Sequence, residues 1–89
     1  MIYIKEKYPD DRSVAIHLEG ILDDESIPTL KEICETHLLE KRKILLHLKD
    51  VLHINREGRE FLLEIQEKVR ILELPEFIGL KDHLPYEKE

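Results

Sequence analysis

The sequence holds one cysteine, one methionine, no tryptophan and only three glycines in 89 residues. A lone cysteine, Cys34, excludes an internal disulfide and fits a reducing cytosol. There is no stretch rich in glycine, proline and serine, so nothing reads as an interdomain linker or a low-complexity tract. No apolar run approaches the ~20 residues that span a bilayer. The opening Met1-Ile2-Tyr3-Ile4-Lys5-Glu6 lacks the apolar core of a signal peptide. Positive charge is also in deficit: Lys and Arg number 14 against 20 Asp and Glu, a net charge of −6. Without a cationic stripe interleaved with aromatics, nucleic acid and anionic membrane surfaces are poor partners. Hydrophobic residues make up 42% and charged residues 38%, the balance of one globular domain able to bury a core of its own. The partner such a surface suits is another protein or a peptide-like segment.

Periodicity gives the elements. Ile2 to Tyr8 reads as a strand, Pro9-Asp10-Asp11 as a turn, and Ser13 to Leu18 as a second strand with Val14, Ile16 and Leu18 on one face. Gly20 breaks that pattern. Asp23-Asp24-Glu25-Ser26 then supplies acidic, cap-forming residues. A helix follows, with Ile27, Leu30, Ile33, Cys34, His37 and Leu38 on one face and Pro28 in its first turn, where a missing N–H costs little. The short run Ile44 to Leu48 has the texture of a strand covered on both faces. The apolar patch Val51 to Ile54 leads directly into Asn55, a good N-cap for a second helix bearing Phe61, Leu62, Ile65 and Val69. Val69 to Leu72 reads as a last strand, since a helix continuing to Leu74 would meet Pro75. Pro75 suits the first turn of a final short helix over residues 75–84, with Phe77 and Ile78 toward the sheet, and residues 85–89 form a polar tail. The expected order is β-β-α-β-α-β-α, a four-stranded mixed sheet with about three helices packed on it, spanning residues 1–84. Ile44, Leu46, Leu48, Phe61, Leu62, Ile65, Leu30 and Ile33 should share one core.

Motifs for catalysis, metal or cofactor are missing. Ser13 and Ser26 have no nucleophile elbow, and Cys34 has no electropositive setting. The five histidines lack the spacing of a metal site, so neither a metal nor any other cofactor is implied. Asp10-Asp11 and Asp23-Asp24-Glu25 lack the glycine and ligand spacing of a calcium loop. Gly58 has no second glycine at phosphate-loop spacing. The chain reads as a non-enzyme.

The remaining signal is the junction between a buried strand and a helix N-terminus, the place where ligands gather in open α/β sheets. Leu18-Glu19-Gly20-Ile21-Leu22-Asp23 and the run from Leu46 to Gly58 resemble those of a STAS domain, the fold of anti-sigma factor antagonists. The first resembles that family's L-x-G-x-L-D. The second resembles its strand, its V-x-F-I-D step and the S-S-G that opens its second helix.

The resemblance implies a cytoplasmic, non-enzymatic protein–protein interaction module. Its partner would be a switch kinase or an anti-sigma-like protein, or, alternatively, a transport ATPase complex of which this chain is a small accessory subunit. It also implies a partner surface at Asp23, Asn55, Arg56, Glu57, Gly58, Arg59 and Leu63. One departure is chemical. The family's phosphorylated Ser or Thr, immediately before the glycine, corresponds here to Glu57, with Arg56 and Asn55 in place of the preceding Ser and Asp. Regulation by phosphate at that position is therefore not expected. Glu57 also has a plainer reading, as a first-turn acid stabilising its helix by about 0.3–1 kcal/mol.

Overall fold

The computed structural model describes residues 2–73. The expected last helix over 75–84, the tail 85–89 and the outer bound of the domain lie outside the described residues. Within them the order is β1 (Ile2–Asp10), β2 (Ser13–Leu22), α1 (Ile27–Leu39), β3 (Lys43–Ile54), α2 (Arg56–Ile65) and β4 (Arg70–Leu72). The strands lie side by side in that same order. β1 runs antiparallel to β2, while β2, β3 and β4 are parallel. The mixed four-stranded α/β sheet expected from periodicity is thus the observed one, carrying two helices among the described residues.

Three boundaries differ from the sequence expectation. β1 passes through Pro9 to Asp10, with its register shifting between Lys7 and Asp10. Proline is tolerated there because β1, among the described residues, is an edge strand with no ladder on its outer side. The turn falls instead at Asp11–Arg12, where the Arg12 N–H donates to Asp10 Oδ1 at 2.8 Å. Gly20 does not end β2; at φ 108° it lets the chain bend and continue to Leu22. Val51 to Ile54 is no separate patch, since β3 runs unbroken from Lys43 to Ile54.

The core lies between the sheet and both helices. Val14, Ile16 and Leu18 of β2 stand beside Ile44, Leu46 and Leu48 of β3, all essentially inaccessible. Leu30 and Cys34 from α1 and Phe61, Leu62 and Ile65 from α2 close over them, with Ile33 packed partly buried at the margin. A small cleft lined by Cys34 and Leu38 of α1 and by Phe61 and Ile65 of α2 places the helices next to each other. β3 was expected to be covered on both faces, but the described helices occupy one. On the reverse face Leu45 and His47 remain half-buried, and the His17 and His47 rings stack at 4.3 Å, 7° from parallel. An apolar run signals burial but not whether a helix or neighbouring side chains supply it.

Candidate functional site

The carboxyl ends of β2 and β3 deliver two loops to one edge of the sheet, and backbone contacts tie the loops together. The Asn55 N–H donates to the Leu22 carbonyl oxygen at 3.1 Å. Asn55 itself is extended (φ −84°, ψ −176°), and its Oδ1 accepts from the Gly58 N–H at 2.8 Å, satisfying one of the orphan donors of α2. Its Nδ2 donates to Asp24 Oδ1 at 3.3 Å, reaching across to the other loop. Gly58 is buried, and a Cβ there would stand 2.6 Å from the Leu22 carbonyl oxygen. Only glycine lets the first turn of α2 seat this closely on the end of β2.

The β2–α1 loop is organised by Asp23. Its Oδ1 accepts from the Ser26 N–H at 3.1 Å and the Glu25 N–H at 3.2 Å, and lies 3.0 Å from Ser26 Oγ. Ser26 Oγ also lies 3.1 Å from the Ile21 carbonyl oxygen, so one hydroxyl proton serves two acceptors. Ser26 occupies the N-cap position of α1 without capping it through its side chain; Asp23 instead holds the turn that precedes the helix, through the N–H groups of Glu25 and Ser26. The Ser26 hydroxyl bond, reinforced by the Ser26 and Glu25 amides, holds the Asp23 carboxyl below the usual carboxylate range against the opposing effect of burial.

The residues that the sequence singled out therefore divide. Asp23 and Gly58 shape the site, Asp23 through the bonds to its Oδ1 and Gly58 through its close packing on Leu22. Asn55 is half-buried and bridges the two loops. Glu57 is exposed in the first turn of α2. Arg56 is exposed and pairs with Glu60 one turn on, Nε to Oε2 at 3.3 Å. Arg59 is exposed on the same helix. Leu63 is half-buried and packs against the core, so it offers a partner only part of its surface.

Two residues at this edge were not recognised in the sequence. The β2–β3 register pairs Gly20 with Val51 but Ile21 with His53, leaving Leu52 as the extra residue of a bulge. Leu52 is 75% exposed and Ile21 is 38% exposed. The available signal was the glycine two positions before Leu22, since an isolated glycine in a strand often marks a bulge.

Cys34 is inaccessible, and burial pushes its thiol up to about 11. Among the described residues no group of histidines, cysteines and carboxylates could hold a metal ion, and no helix is long and apolar enough to cross a membrane.

Compared by sequence, the chain matches no family model and no curated protein. Its fold is similar to that of solved structures. The anti-sigma factor antagonist SpoIIAA in its unphosphorylated form aligns with a TM-score of 0.68 at 12% identity, over 88% of this chain and 80% of that one. Mglu aligns with a TM-score of 0.67 at 22% identity, over 81% of this chain but 19% of that one, a likeness to one segment of a larger protein. An uncharacterized DUF3478-family protein from Shewanella loihica, itself with a SpoIIAA-like fold, aligns with a TM-score of 0.61 at 18% identity, over 86% of this chain and 70% of that one. At these identities the likeness is one of fold. The chain has a SpoIIAA-like fold, the fold to which the resemblance of the runs Leu18–Asp23 and Leu46–Gly58 pointed.

Proposed function

We propose that this domain is a non-enzymatic, cytoplasmic protein–protein interaction module of the anti-sigma antagonist kind, engaging its partner constitutively through the start of α2. The observation that carries this reading is the locked pair of loops. Asn55 caps α2, holds Asp24 and donates to Leu22, so the exposed side chains of Arg56, Glu57 and Arg59 project from a rigid base. A backbone already held by such bonds has less ordering left to do on binding. Glu57 places a permanent negative charge at the position where the family it resembles carries its phosphorylated hydroxyl. A single carboxylate carries less charge than phosphate and fewer acceptor oxygens, so the charge is a fixed bias and not a switch. Thr29 and Thr36 are exposed on α1, away from this turn in sequence.

The test is affinity capture with the full chain, identification of the bound protein, and repetition with Arg59→Glu. Loss of the captured partner supports the reading, and wild-type capture by the variant counts against α2 as the contact. Leu63→Asp is a poorer probe because Leu63 packs on the core and a charge there would also cost stability. Recovery of a transport ATPase subunit would instead assign the domain to such a complex.

A further inference from the structure

Apolar side chains of the size of Leu52 and Ile21 are normally turned inward, and here the fold turns them out. β3 carries one residue more than β2 between the Gly20–Val51 and Ile21–His53 pairs, and that residue, Leu52, is expelled to 75% exposure. Ile21, on the adjoining strand, is 38% exposed. One step back along the strands, Glu19 pairs with Asp50, two exposed carboxylates side by side across the ladder. Like charges so placed repel each other. Beyond the strand ends follow Asp24, Glu25 and Glu57, all exposed. Among the described residues Lys49, Arg56 and Arg59 are the exposed cations nearby, Arg56 paired with Glu60, and the five carboxylates outnumber them. The edge is an aliphatic centre with an acidic border.

We infer that Leu52 and Ile21 anchor the docking of a partner segment that carries lysine or arginine on either side of an aliphatic or aromatic residue. This inference rests on the interaction-module reading and adds to it the chemistry of the partner and a contact on β3 beside the one on α2. Apolar anchors supply most of the affinity at such a surface, while bordering charges choose the partner and speed its approach.

Two synthetic amphipathic peptides with the same apolar residues test the inference, one flanked by lysines and one by glutamates. Each is titrated into the isotopically labelled full chain while the backbone amide resonances are followed. The lysine peptide should shift the amides of Ile21, Leu52 and Glu57, and the glutamate peptide should not. Leu52→Asp and Leu52→Ser should each weaken lysine-peptide binding about tenfold or more without loss of folded signal. Raising ionic strength from about 0.1 M to about 1 M shortens the screening length from about 10 Å to about 3 Å and should weaken it further. Equal binding of both peptides, undiminished binding by the Leu52 variants, or self-association of the chain through Leu52 would each overturn the inference. With a captured partner, weakening by Arg59→Glu but not by Leu52→Asp removes the Leu52 anchor alone. Weakening by neither removes the interaction surface as a whole.

Discussion

Gly58 and Leu22 meet backbone to backbone: a Cβ on Gly58 would stand 2.6 Å from the Leu22 carbonyl oxygen, and 3.0 Å from the Ile54 side chain. That oxygen also accepts the Asn55 N–H at 3.1 Å, so it has little freedom to move aside. Gly58→Ala should therefore destabilise the domain, although alanine gains up to about 1 kcal/mol of helix propensity. Overpacking of this kind costs about 1–3 kcal/mol, and a net loss of about 1 kcal/mol lowers the melting temperature of a domain this size by about 4–8 °C. Thermal denaturation followed by circular dichroism reads the result, and a variant as stable as wild type would show that the helix start can slide.

Asn55 does two things, and two substitutions separate them. Asn55→Ala removes both the cap on Gly58 and the bond to Asp24, and should cost about 0.5–2 kcal/mol. Asn55→Asp keeps an acceptor for the Gly58 N–H but sets a negative charge against Asp24. It should be intermediate in stability at low salt and recover toward wild type as salt screens the repulsion. Urea titrations at two ionic strengths discriminate; salt-independent loss in the Asp variant would mean that the bridge to Asp24 contributes nothing through charge.

The reverse face of the sheet gives a pH dependence. His17 stacks on His47, and burial first, then the nearness of His47 and Lys7, lowers its pKa below the ordinary 6.5; Glu73 and Asp50 oppose the shift weakly. When a base is harder to protonate folded than unfolded, the unfolded chain takes up the proton first as pH falls. The stability associated with neutral His17 is therefore complete above about 6.5 and declines as pH drops through that value toward the folded pKa. His47→Gln removes the charge repulsion and should raise the His17 pKa. Titration of the His17 ring resonances in both proteins measures this, and an unmoved midpoint would leave burial and Lys7 as the causes.

Local chemistry made most of the fold legible. Asn55 before an apolar face at helical spacing fixes the start of α2, and Phe61, Leu62 and Ile65 lie on its buried side as their spacing requires. What was not legible is non-local. Whether Gly20 ends a strand or bends it depends on the register of β3, and so does the expulsion of Leu52 from the ladder. Ser26 does not cap α1 through its side chain because its backbone is already helical, φ −83° and ψ −26°, a geometry that residue identity alone does not reveal. The strand-to-helix junction itself was legible from Asn55 and Gly58, while its internally bonded residues and its exposed side chains were not told apart.

Glu57 separates the functional from the merely structural account of that junction. It stands exposed in the first turn of α2, where any acid gains about 0.3–1 kcal/mol from the helix dipole. Glu57→Ser removes the charge and keeps the helix start polar, so folding should weaken only by that small amount in either account. The accounts part on binding. If the fixed charge is what the partner reads, affinity for a captured partner should change about tenfold or more, equivalent to about 1.4 kcal/mol. Titration calorimetry on wild type and variant, with denaturation in parallel, supplies both numbers. A stability loss without an affinity change would make Glu57 a plain first-turn acid, and the contact would then rest on Arg59 and Leu52.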